Sequence, residues 1–130
     1  MFDHLPDIAL SVRQPWAWAI LNGKDIENRN WRPAYRGPIA LHAAAGMTLT
    51  EYREAMAFIR LVAPDLDLPG LDMLDRGGII GVVEITDCVT SSRSAWFMGR
   101  YGLVLRNARA APFIPLKGRL GFFKWKGLVQ

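Results

Sequence analysis

From Gly77-Gly78 to Val89 the chain reads Ile79-Ile80-Gly81-Val82-Val83-Glu84-Ile85-Thr86-Asp87-Cys88-Val89, its most β-branched run. Such a run is a strand that packs on neighbouring strands, so the fold must be built around a sheet. Further strands are expected over Ile8–Arg13, Asp25–Trp31, Pro38–Ala44, Tyr101–Arg106 and Leu120–Lys126, with Pro112 to Pro115 separating the last two. In the third of these, Ile39, Leu41 and Ala43 form the core face, and His42 lies opposite. Two helices interrupt the early part. Gln14-Pro15 opens one that Gly23 closes, with proline at its first position. Thr48-Leu49-Thr50-Glu51 is a capping box, and Tyr52, Ala55, Met56, Ile59 and Val62 follow at helical spacing until Pro64. Asp65 to Arg76, with Pro69, Gly70 and four aspartates, has loop composition. Five or six short strands with two or three flanking helices make a small α+β barrel.

At 130 residues one domain spanning the whole chain is expected, with enough length for its own core. The lone Cys88 forms no internal disulfide. With only His4 and His42 beside it there is no zinc-ligand spacing, and no cofactor or metal is expected. The segment Met1 to Asp7 has neither a basic nor an apolar leader region, and no apolar run is long enough to span a bilayer. These features predict a cytoplasmic protein without a membrane partner. A phosphate-cradling glycine loop, a nucleophile elbow and paired metal carboxylates are all absent from the sequence.

Charge is distributed unevenly. The formal net charge is +4, but after Asp87 there is no acid, while Arg93, Arg100, Arg106, Arg109, Lys117, Arg119, Lys124 and Lys126 follow. Arg106, Arg109, Lys117 and Arg119 are therefore candidates for contacts with a nucleic-acid backbone, with a solvated basic surface as the alternative.

Candidate ligand-binding residues concentrate near the start. Arg13, Gln14 and Trp16 precede Lys24, Glu27, Arg29 and Trp31, a mixture of point charges and flat rings suited to nucleobase and phosphate ligands. Trp16 and Trp18 point to different sides of their helix, so one indole lines a pocket or the helix is wedged between two apolar surfaces. Lys24 is placed at the mouth of a cleft or on a turn. Its replacement by alanine is expected to leave folding intact. Glu84, inside an apolar strand, requires a cationic partner, for which Lys24, Arg13 and Arg29 are the candidates. Glu27 and Arg29 share a strand face and can pair. Trp96 and Phe97, in a polar, basic loop, either cover the core or form a stacking platform.

The motifs Ser11-Val12-Arg13-Gln14-Pro15-Trp16-Ala17, Gly23-Lys24-Asp25-Ile26-Glu27-Asn28-Arg29, Arg36-Gly37-Pro38-Ile39-Ala40-Leu41-His42-Ala43, Gly78-Ile79-Ile80-Gly81-Val82-Val83-Glu84-Ile85 and Gly118-Arg119-Leu120-Gly121-Phe122-Phe123 resemble, in this order, the ASCH domain. The resemblance implies a PUA-like pseudo-barrel and a role in binding RNA or a modified nucleoside. It also admits ribonuclease activity or hydrolysis of N4-acylated cytidine. In the bacterial N4-acetylcytidine amidohydrolases of this superfamily a lysine, a threonine three residues later and a strand glutamate form the catalytic set. By that match Lys24 and Glu84 take the first and third roles, and Glu27 stands in place of the threonine. Hydrolysis would then use a carboxylate-activated water, with Lys24, Glu27 and Glu84 as the catalytic group. A protein-interaction module, with the Trp and Phe residues as anchors, is the third reading.

Overall fold

A computed structural model describes residues 2–129. Six strands form one sheet in the order β2-β5-β4-β3-β1-β6, which curls into a half-barrel of the PUA-like, α+β type. The strands are β1 (Ile8–Val12), β2 (Ile26–Arg29), β3 (Gly37–Ala43), β4 (Gly78–Val89), β5 (Tyr101–Pro115) and β6 (Phe122–Lys124), with α1 (Trp16–Leu21) and α2 (Leu49–Val62) between them. Neighbours pair antiparallel except β1 and β3, whose parallel register sets Ser11 beside His42.

The β-branched run becomes a central strand because both of its faces are covered. Val83 and Ile85 join Leu10, Ile39 and Leu41 under α1, which contributes Ala17 and Ile20. Ile79 and Val82 point the other way, toward Ala9, Ala40, Phe123 and Trp125. A strand buried on both faces has no polar side to alternate with, which is why its sequence is almost unbroken in apolar residues. Gly81 permits the close approach of α1, since a Cβ there would lie 2.7 Å from a Leu21 methyl and 2.6 Å from the Arg109 carbonyl.

The α2 helix is capped as its sequence demands. Thr48 Oγ1 accepts from Glu51 N at 3.1 Å, and Glu51 Oε1 accepts from Thr48 N at 3.0 Å. Tyr52, Ala55 and Ile59 form its buried stripe. Ile59 meets Ala19, Ile26 and Trp96 in a third apolar cluster.

Two expectations change. The strand expected to end at Arg106 continues to Pro115, so Pro112 and Pro115 lie within β5 and do not separate it from β6. They are tolerated because β2 pairs with β5 only from Tyr101 to Val104, which leaves the later residues on an open edge where a missing N–H breaks no ladder. His42, which the alternation sets opposite the main core face, is buried against the second core. It hydrogen-bonds Ser11 Oγ through Nδ1 and the Leu116 carbonyl through Nε2, each at 2.9 Å.

Burial lowers the His42 pKa from its ordinary 6.5. The unfolded chain therefore takes up this proton first as the pH falls, so the stability contributed by the neutral imidazole is complete above pH 6.5 and declines below it. At Glu51 the Arg13 guanidinium holds the carboxyl at about 2 against an ordinary 4.5, so its contribution disappears at lower pH, between those two values. Thermal melts are expected to show a midpoint that falls from pH 7 to pH 5 and then falls again below about pH 4.5. A midpoint constant down to pH 5 would contradict the account of His42.

Candidate functional site

Helix α1 ends at Leu21 with Asn22 as its cap, and Gly23, with φ of +114°, turns the chain so that the amide of Lys24 bonds the Ala19 carbonyl at 2.9 Å. This reversal sends the Lys24 side chain inward. Only 3% of it is exposed, so Lys24 is neither a turn lysine nor a mobile one. Its ammonium donates to the Ile26 carbonyl and to Glu27 Oε1, the latter at 3.1 Å. Glu27 Oε2 lies 3.0 Å from Arg29 Nη2, which also donates to the Ser11 carbonyl at 3.2 Å. Glu27 and Arg29 meet because residues two apart on β2 share a face, as expected. Two cations thus hold one buried carboxylate, one on each oxygen.

Above this cluster is a cleft of about 460 Å³, a size that suits small organic ligands. Trp16, Lys24, Glu27 and Asn28 line one side. Glu51, Glu54, Ala55 and Phe58 of α2 line the other, and Met98 stands at the mouth. The Trp16 ring centroid is 5.8 Å from the Lys24 ammonium and 5.8 Å from Phe58, which packs edge-to-face on it. Asn28 ties down the loop at the mouth: Nδ2 donates to the Trp96 carbonyl at 2.9 Å, and Oδ1 accepts from the amides of Met98 and Gly99 at 2.9 and 3.2 Å. An ammonium has three N–H groups, and two of those on Lys24 have protein acceptors. The third has no hydrogen-bond acceptor among the described residues.

Of the residues singled out in the sequence, Trp16, Lys24 and Glu27 come together here, with Arg29 behind Glu27. Arg13 stands at the edge, clamped onto Glu51 by bonds of 2.8 and 2.7 Å from Nε and Nη2. Gln14 is fully engaged elsewhere, donating to the Asp75 carbonyl and accepting from Trp18 N, both at 2.8 Å. It joins α1 to the segment that leads into β4. Trp18 faces a different groove, so the two indoles diverge as the helical spacing requires. Trp31 lies beyond the end of β2, half exposed and outside the cleft lining. Trp96 is buried and packs edge-to-face on Phe58 at 6.1 Å, and Phe97 joins the same apolar cluster. Trp96 covers the core, and the half-buried Phe97 packs against the same cluster.

Glu84 is not the partner of Lys24. Sharing the sheet face of Val82, it turns away from the first core, lines a separate groove, and accepts from Asn107 Nδ2 at 3.3 Å. Half exposure to water makes the buried cation expected beside it unnecessary. Arg106, Arg109, Lys117 and Arg119 are all exposed; Arg106 lines a groove between α1 and β5, and Arg109 lines the groove of Glu84. Lys117 and Arg119 belong to the segment between β5 and β6. Glu51, Glu54, Ala55 and Phe58 escaped the sequence reading as a site. The available signal was their own helical spacing, one face round from the core stripe.

The ASCH domain model matches residues 10–104, most of the chain. The chain belongs to the ASCH domain family. No curated protein matches it. The ASCH domain is PUA-like and its fold is of an RNA-binding type. The matched span contains every element lining the cleft, while Arg106, Arg109, Lys117, Arg119 and β6 lie beyond it. Among the described residues no helix is long and apolar enough to cross a membrane, and no cluster of His, Cys, Asp or Glu is arranged to hold a metal ion.

Proposed function

We propose that the cleft binds one unpaired nucleobase, presented as a modified nucleoside or from single-stranded RNA. The supporting observation is the buried Lys24–Glu27–Arg29 cluster beneath walls formed by Trp16 and Phe58. Flat rings hold a base by its faces, whereas a fixed ammonium selects for a carbonyl oxygen on its edge. The Glu54 carboxylate at the opposite wall accepts from a ribose hydroxyl or an exocyclic amine.

The hydrolase reading draws on the 3.1 Å contact of Lys24 with Glu27, since a carboxylate beside an ammonium can pass protons to and from a water attacking an acyl carbon. The cleft lining contains no hydroxyl, thiol or imidazole, so hydrolysis there proceeds only through an activated water and not through a covalent intermediate.

Calorimetric titration with cytidine, N4-acetylcytidine, uridine, adenosine and guanosine measures binding, and an assay for acetate released from N4-acetylcytidine reports hydrolysis. Lys24→Ala and Phe58→Ala are each expected to weaken the best ligand by at least about tenfold. Affinity unchanged in both variants would remove the cleft from the binding site.

A further inference from the structure

From Val82 to Glu84 β4 advances two residues, while the partner residues on β5 run from Arg109 to Arg106, three residues. The extra residue makes a β-bulge, a device that re-aims side chains. Asn107 takes the left-handed conformation there, with φ of +56°, which asparagine tolerates better than most residues. Its amide is turned onto the Glu84 carboxylate at 3.3 Å.

Beside the bulge is a groove of about 400 Å³ lined by Glu84, Asn107 and Arg109 together with His4, Pro6 and Pro38. Among the described residues neither Glu84 nor Arg109 takes part in an ion pair, although both line the same groove. A carboxylate and a guanidinium kept apart in this way complement a ligand that carries amine donors at one end and an anion at the other. A nucleotide with an exocyclic amine has that form.

The groove and the cleft share no lining residue, but each shares one with a third groove between α1 and β5. Asn107 also lines an intermediate groove with Arg106 and Lys24, and Lys24 lines the cleft. We propose that the Glu84–Asn107–Arg109 groove is a second nucleotide subsite, occupied by a neighbouring residue of the single-stranded RNA whose base enters the cleft. Glu84 and the Asn107 carbonyl oxygen accept from the base amine, and Arg106 and Arg109 take phosphates. The proposal rests on the nucleobase reading of the cleft.

The test compares a nucleoside with a fluorescein-labelled single-stranded RNA hexamer of mixed sequence at one salt concentration. The parent protein is expected to bind the hexamer at least about tenfold more tightly than the nucleoside. Glu84→Gln and Arg109→Ala should each weaken the hexamer by about tenfold and leave the nucleoside unchanged, while Lys117→Ala, outside the groove, should have a smaller effect. A hexamer that binds no more tightly than the nucleoside, or is weakened no more by the groove variants than by Lys117→Ala, overturns the subsite. Hexamer binding that depends on Glu84, with no nucleoside binding, overturns the cleft reading and retains the groove. Binding of neither ligand overturns both.

Discussion

Glu27→Ala is expected to cost about 3–5 kcal/mol of stability, because it leaves the Lys24 ammonium and the Arg29 guanidinium facing each other without their shared carboxylate. The Lys24 side chain is only 3% exposed and that of Glu27 10%, so water in the cleft replaces the lost partner only in part. Against a typical total of about 5–15 kcal/mol the loss is severe. Lys24→Ala is less damaging, since Glu27 keeps Arg29, yet burial means that it does not leave stability untouched as a turn lysine would. The double variant Lys24→Ala with Glu27→Ala should cost less than the sum of the two single changes. Chemical denaturation measures all three. A loss below about 1 kcal/mol for Glu27→Ala would place the pair in the class of solvated surface bridges.

Trp125→Ala is expected to cost a further about 3–5 kcal/mol, at a position outside the span matched by the family. The indole is fully buried, packs against Phe2 at 5.4 Å, and donates from Nε1 to the Pro6 carbonyl at 2.7 Å. It joins the chain's two ends over the second face of the sheet. Truncation leaves a cavity and an unpaired carbonyl together. Retention of near-parental stability in denaturant would show that the sheet does not need this cover.

How far the sequence reveals this molecule depends on the range of the interaction concerned. The capping box at Thr48 and Glu51 is legible because its partners are three residues apart. The strand around Val83 is legible because its composition admits little else. Glu27 and Arg29 could be paired on paper by strand alternation alone. The partner of Glu84 could not, because the answer depends on which face of the sheet the residue occupies and on a one-residue bulge in the next strand. The length of β5 was hidden for a related reason, since proline argues against a strand unless that part of it is known to be an edge. Trp96 and Phe97 lie in a loop whose sequence is equally consistent with a stacking platform, and only the position of Phe58 shows that they support the cleft wall from behind. Phe58 itself is invisible as a site residue until α2 is laid across β2.

The central claim, that a nucleobase enters the cleft beside Trp16 and Phe58 and meets the Lys24 ammonium, is tested most directly by amide and indole chemical shifts during a nucleoside titration. The account predicts saturable shifts at the Trp16 indole and at the amides of Lys24, Glu27, Asn28 and Phe58, with the Trp125 indole unmoved in the opposite core. Shifts absent at millimolar nucleoside, or confined to residues outside this cleft, would contradict it.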